Sequence, residues 1–219
     1  MLPRVLETEA MDTLDEAVDY DSMDHGEVNR VFVADLLAAG LQAGESLDLG
    51  TGTAQIPIEL CRQEPSARVV AVDSAANMLH VARQNVQNAG LAGRIRLQRV
   101  DAKRLPYRSG RFANVISNSI VHHVPDPREV LDEAWRLAAP GGLVFFRDLF
   151  RPQDDRTVRH LVETYAAGAN RHQQQMFEDS LRAALTVEEM RRLVARCGAL
   201  PETVQATSDR HWTWVARKA

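Results

Sequence analysis

Glu45-Ser-Leu-Asp-Leu-Gly-Thr-Gly-Thr-Ala-Gln-Ile-Pro-Ile-Glu-Leu60 decides how the rest of this chain is read. Residues 46–49 form a short apolar strand that runs into a turn at Gly50 and Gly52, and a helix begins near Ala54. The glycines let the chain turn and let a ligand approach the backbone with no Cβ in the way. A strand that feeds a helix this way is expected to leave a cradle of backbone N–H groups at the helix N-terminus. Pro57 belongs in a first helical turn, where its missing N–H costs little. A dinucleotide turn needs a third glycine where Gln55 stands, so that fingerprint is incomplete. Asp48, two places before Gly50, suits a cationic ligand better than a pyrophosphate.

Working outward, 219 residues are most simply one domain with a full core, here with an N-terminal arm (1–26) and an insertion (150–185). A net charge of -4 and a pI near 6.0 argue against a nucleic-acid partner, which usually shows as a basic face. No apolar run reaches membrane-spanning length and no signal peptide is visible. Cys61 and Cys197 read as reduced thiols near the core of a cytoplasmic protein. There is no Cys-x-x-Cys, and the adjacent His122 and His123 are expected to point apart, so no metal site is expected.

Arg68-Val-Val-Ala-Val-Asp73 is a second strand with a carboxylate at its end. Ser74 is expected to cap the next helix, whose apolar face carries Met78, Leu79, Ala82 and Val86. Asp73 lies just over twenty residues past Gly50, the spacing that sets a carboxylate against a ribose; the alternative is a capping aspartate. A third strand (95–100) ends in Asp101-Ala102, and a fourth (112–117) continues into Asn118-Ser-Ile-Val-His-His123. Asp126 and Pro127 start a helix, and Pro140-Gly-Gly142 precedes the most apolar strand. Upstream, Val28, Val31, Phe32, Asp35, Leu36 and Ala39 show helical spacing, preceded by Tyr20 and by Asp21, Asp24 and His25, which are either a site cover or a solvated helix start. Downstream, residues 177–185 read as a short helix, Thr186 and Glu189 as a capping box, and 202–207 and 212–216 as two strands. Arg147, Arg151, Arg156 and Arg159 either grip an anion or are solvated.

Asp48-Leu-Gly-Thr-Gly, Val72-Asp73, Asp101-Ala102, Asn118 to Val124 and Pro140-Gly-Gly142 occur in the order of the class I S-adenosylmethionine-dependent methyltransferases, which this half of the chain resembles. Thr53 and Ala54 depart from the last glycine of the family's first motif. The segment from Ser119 to Pro127 looks like the branch that methylates small molecules. The Asn/Asp-Pro-Pro-Tyr/Phe motif of many amino-group methyltransferases is absent at Asn118. The resemblance implies a doubly wound α/β domain, a seven-stranded and mainly parallel sheet in the order 3-2-1-4-5-7-6. It implies S-adenosylmethionine as cofactor and a small-molecule acceptor. Asp48, Gly50, Thr51 and Gly52 would hold the methionine end and Asp73 the ribose. Ser74 and Met78 would flank the adenosine, and Asp101 and Ala102 would meet the adenine. Asn118 and Ser119 would floor the sulfonium, with Tyr20 in the covering arm. His123 is either a general base or a structural residue, and His122 is structural. A nicotinamide oxidoreductase and a non-catalytic cofactor-binding module are the rival readings.

Overall fold

The computed structural model describes residues 2–7, 13–23 and 25–219; Asp24 lies outside the described residues. Seven strands form one sheet in the order β3-β2-β1-β4-β5-β7-β6. They are β1 (Glu45–Leu49), β2 (Arg68–Asp73), β3 (Ile95–Arg99), β4 (Phe112–Asn118), β5 (Ala138–Leu149), β6 (Val204–Ala206) and β7 (His211–Arg217). The pairings among β1 to β5 are parallel, and β7 runs antiparallel to both β5 and β6. The order reverses between β1 and β4, and a sheet wound this way opens a crevice at the carboxyl ends of its strands there.

The strands are apolar on both faces because helices cover both. Val69 and Ala71 of β2 belong to one core, with α2 (Gly26–Ala38), α3 (Gln55–Gln63) and α4 (Ala76–Asn88). Val70 and Val72 belong to the other, with α5 (Pro127–Leu137) and α8 (Val187–Arg196). This is the period-two alternation of a strand buried on each side. Phe145 meets Phe32 edge-on at 5.2 Å, a geometry that adds about 0.5–1.5 kcal/mol beyond its buried area. Asp126 and Thr186 cap α5 and α8 as their sequences predict.

Several elements differ from expectation. The buried face of α2 is Asn29, Phe32, Val33 and Leu36, while Val28 and Val31 face outward, because the core lies a third of a turn from the stripe of valines. Residue 75 is the N-cap of α4, with no side-chain cap, so Ser74 does not fill that role. The helix expected over 177–185 begins earlier: a capping box between Asn170 and Gln173 starts α7 (Arg171–Ala183). Beside it lies α6 (Asp155–Tyr165), and the two helices make up the insertion. At the other end of the chain, α1 (Leu14–Ser22) is a helix with its own capping box at Thr13 and Glu16, packed through Ala17 against Ala75, Met78 and Val81.

Candidate cofactor and acceptor site

A cavity of about 1390 Å³ opens at the carboxyl edge of the sheet, between the sheet, the N-terminal segments and α7. Tyr20, Gly50, Gly52, Asp73, Ser74 and Met78 line it, as do Asp101, Ala102, Asn118, Ser119 and His123. Segments up to about a hundred residues apart in sequence are thereby brought to one wall. Asp48 and Thr51 are not on that wall. They line an adjoining cavity of about 20 Å³ that shares Tyr20, Gly50 and Asn118 with the large one, room for about one water molecule.

The glycine turn is built differently from a phosphate cradle. The N–H groups of Gly50 and Thr51 both donate to the Val72 carbonyl, at 3.0 and 2.9 Å. That of Gly52 donates to Asp73 Oδ2 at 2.8 Å, and that of Ala54 to the Thr51 carbonyl. The expected cradle is therefore already spent inside the fold, because the Val72 carbonyl, one residue before the end of β2, lies beside the turn. Gly50 has φ +70°, and a Cβ there would sit 2.8 Å from Ile120 Cδ1, so both backbone shape and space require glycine.

Asp73 ties the floor together. Its Oδ1 also accepts from the Ala75 N–H at 2.9 Å, so it serves α4 where Ser74 was expected to. Burial pushes its pKa up, and the N–H groups of Ala75, Gly52 and Ser74 oppose that. Asp48 is 2 % exposed, and burial, with Asp73 nearby, pushes its carboxyl up to about 7 against the pull of Thr51. Asp48 Oδ2 has no hydrogen-bond partner among the described residues. Tyr20 is pushed up to about 12 by burial and by the Asp73, Asp48 and Asp21 carboxylates. With the turn's backbone N–H groups taken and carboxylates beneath it, this end of the cavity is an environment for a ligand that carries positive charge and hydroxyls.

The other end is built around a 3-10 turn, Val121–His123. His122 and His123 do not diverge: their rings lie 4.1 Å apart at 37°. His122 Nδ1 is 2.5 Å from Asp148 Oδ1, and both residues are buried. Glu7 Oε1 lies 3.3 Å from His122 Nε2 and 2.9 Å from His123 Nδ1. Burial would lower the His122 pKa, but Asp148 and Glu7 outweigh it and hold it above the ordinary value. The Glu7 carboxyl is held low by His123 and His122 despite its burial. Glu7 escaped the sequence reading, since it sits in a polar arm over a hundred residues from its partners and carries no local signal. Of the four arginines, Arg147 and Arg151 are buried clasps: Arg147 holds Asp35 and Thr213, and Arg151 holds Glu189 and the carbonyls of Leu2 and Ala184. Arg156 and Arg159 are exposed on α6.

The methyltransferase domain family matches residues 47–146, the stretch that carries the cofactor end of the cavity and the histidine turn. This stretch is a class I S-adenosylmethionine-dependent methyltransferase domain. It is 34% identical over 100 residues to the ubiquinone/menaquinone biosynthesis C-methyltransferase of Desulfotalea psychrophila, covering 46% of this chain and 39% of that one. It is 33% identical over 158 residues to the malonyl-[acyl-carrier protein] O-methyltransferase of Geobacter sulfurreducens, covering 68% and 57%. The chain thus spans about half the length of the curated relatives it matches. A SAM-dependent methyltransferase from Aquifex aeolicus shares the fold at a TM-score of 0.71, with 14% identity over 94% of this chain and 99% of that one. S-adenosylmethionine is the cofactor of the family, and no described helix is long and apolar enough to cross a membrane.

Proposed function

We propose that this methyltransferase moves the methyl group of S-adenosylmethionine to a small-molecule acceptor. The observation that carries the reading is the carboxylate-bearing floor made by Asp73 and the glycine turn, which suits a cationic nucleoside and not a pyrophosphate. Asp73 accepts hydrogen bonds from the ribose hydroxyls. Gly50 and Gly52 let the methionine portion lie against the backbone, and Asp48 and Thr51 act on its ammonium group from beneath, through the small cavity. Ser74 and Met78 flank the adenosine, Asp101 and Ala102 meet the adenine, and Asn118 and Ser119 floor the sulfonium. Tyr20 and the N-terminal segments cover the cofactor. The helices α6 and α7 form the cover on the acceptor side.

Transfer is an in-line displacement on a carbon already activated by the sulfonium. With S-adenosylmethionine bound, the acceptor atom would form the new bond to the methyl carbon as the S–C bond breaks, leaving that bond's electron pair on sulfur. Alignment in a water-poor pocket supplies much of the rate. Where the acceptor must shed a proton, His123 takes it, since its ring lines the cavity at the acceptor end. The small-molecule relatives and the acidic net charge support a reading without nucleic acid or membrane as partner, and the two free cysteines support a cytoplasmic one. The test is calorimetry with S-adenosylhomocysteine, followed by labelled S-adenosylmethionine with a panel of thiols, phenols and carboxylic acids. One-site binding and label transfer are expected. Binding of a nicotinamide cofactor without S-adenosylhomocysteine binding overturns the reading, and binding without transfer to any acceptor points to a non-catalytic module.

A further inference from the structure

The segment of residues 2–7 is held as a strap across the acceptor end of the cavity. Arg4 Nε donates to the Ala183 carbonyl at 2.6 Å, and its other nitrogens donate to the carbonyls of His122, Val124 and Pro125 at 3.0–3.3 Å. The Val5 N–H donates to the Arg182 carbonyl at 3.1 Å, and Arg151 reaches the Leu2 carbonyl at 3.0 Å. The strap is thus tied to both the histidine turn and the end of α7, and it delivers Glu7 between the two imidazoles.

We propose that Glu7 is the positioning residue that makes His123 a base. The inference rests on the methyl-transfer reading only for what the base does, not for how it is held. A carboxylate can only accept hydrogen bonds. Asp148 and Glu7 flank His122 on its two ring nitrogens and hold its pKa up, while His123 and His122 hold that of Glu7 down. His123 Nδ1 is a buried atom that makes no well-aligned hydrogen bond to any described residue, and the Glu7 carboxylate oxygen lies 2.9 Å from it. A carboxylate that close repels a bare lone pair and favours an N–H, so the proton of the neutral ring sits on Nδ1. Nε2 is left bare. The ring is 22 % exposed and lines the cavity, so the bare edge is the one an acceptor meets.

Glu7, His122 and His123 also have the composition of a cation site, with their donor atoms all within 4.8 Å. Glu7 Oε1 and His123 Nδ1 lie 2.9 Å apart. That is shorter than the roughly 3.3 Å that separates two ligands on one tetrahedral zinc, and the Arg4 guanidinium already binds this turn. The dyad is the better account.

The experiment is a long-range proton–nitrogen spectrum of histidine-labelled protein above the imidazole titration range, with His123 assigned by its loss in His123→Ala. Wild type is expected to show His123 protonated at Nδ1. Glu7→Ala is expected to move the proton to Nε2. Glu7→Gln keeps it on Nδ1, since the amide oxygen still accepts. Once an acceptor is found, Glu7→Ala should lower kcat about ten-fold with S-adenosylhomocysteine affinity unchanged. The double variant with His123→Ala should be no slower than His123→Ala alone. An Nε2-protonated His123 in wild type, or the same tautomer in wild type and Glu7→Ala, overturns the proposal. If the tautomer follows Glu7 but no acceptor is ever methylated, the positioning stands and the methyl-transfer reading falls.

Discussion

The two ends of the cavity are built by opposite means. The cofactor end is made of strand termini and one glycine turn, and its hydrogen bonds join backbone neighbours on adjacent parallel strands: Gly50 and Thr51 to Val72, Gly52 to Asp73. The acceptor end is made of side chains that cross the whole chain, with Glu7 on His123, Arg4 on the carbonyls beyond His122, and Arg151 on Leu2. Residues 47–146 contain the first and only the histidine turn of the second. A cofactor shared by a family can be held by backbone that many sequences adopt. An acceptor peculiar to one enzyme is met by segments whose only link is the folded state. If this division is real, variants at one end should leave the other end working.

The largest expected effect is at Asp48. Its folded pKa, about 7, lies above the unfolded value near 3.8. Between those values the native state holds a proton that the unfolded chain has lost, so this residue's contribution to stability falls as pH rises from about 4 to about 7 and then levels off. Removing the charge with Asp48→Asn should make the cofactor-free variant gain on wild type across that window, by on the order of 4 kcal/mol in the limit of full burial. Thermal unfolding of both proteins from pH 4 to pH 8 reads it, and a difference that does not change with pH sinks the idea. The same substitution should weaken cofactor binding, since it leaves no anion under the methionine ammonium.

At the acceptor end, His123→Ala should lower turnover by about 10²-fold or more, while S-adenosylhomocysteine affinity changes little. A loss of only a few-fold would leave alignment alone to carry the chemistry. Back at the cofactor end, Asp73→Ala should weaken S-adenosylhomocysteine by roughly 1.5–3 kcal/mol, the scale of hydrogen bonds to a charged group. The structure adds that this variant also strands the Gly52 and Ala75 N–H groups, so its melting temperature should drop. Asp73→Asn keeps an acceptor for one of them and separates the two effects in the same calorimetric titration. Equal affinities in all three proteins would remove Asp73 from the site.

What could be read from the sequence follows the same division. The strand order, the ends of β1, β2 and β4, and the gathering of the glycines, Asp73, Asp101 and Asn118 at one edge of the sheet were legible because each motif is contiguous and the doubly wound topology converts spacing into position. The errors lie where a neighbour in space changed a local rule. The turn's N–H groups looked free until the Val72 carbonyl came alongside. Ser74 looked like the cap of α4, but Asp73, one residue earlier, bonds the Ala75 N–H from the strand end. His122 and His123 looked divergent under strand geometry, where successive side chains take opposite faces. They lie on a 3-10 turn, where each residue rotates about 120°, and Glu7 draws both rings to one side. Glu7 itself could not be found, because nothing between residues 2 and 7 records the His122–His123 turn it meets.

The smallest expected effect tests whether the strap belongs to the acceptor end alone. Arg4→Ala removes the guanidinium that donates to four carbonyls, three of them around the histidine turn. The strap is still tethered by the Val5 N–H and by Arg151, and Arg4 is only partly buried, so global stability should fall by roughly 1 kcal/mol or less. Opening of the strap should be the visible consequence, as faster thermolysin cleavage near Val5 and Leu6 in Arg4→Ala than in wild type. S-adenosylhomocysteine affinity should be unchanged, because no strap residue holds Asp73 or the glycine turn. Turnover should drop part of the way toward that of Glu7→Ala, since a strap that opens carries Glu7 away from His123 for a fraction of the time. If Arg4→Ala weakens S-adenosylhomocysteine as much as Asp73→Ala does, the two ends of the cavity are one cooperative unit and the division drawn between them is wrong.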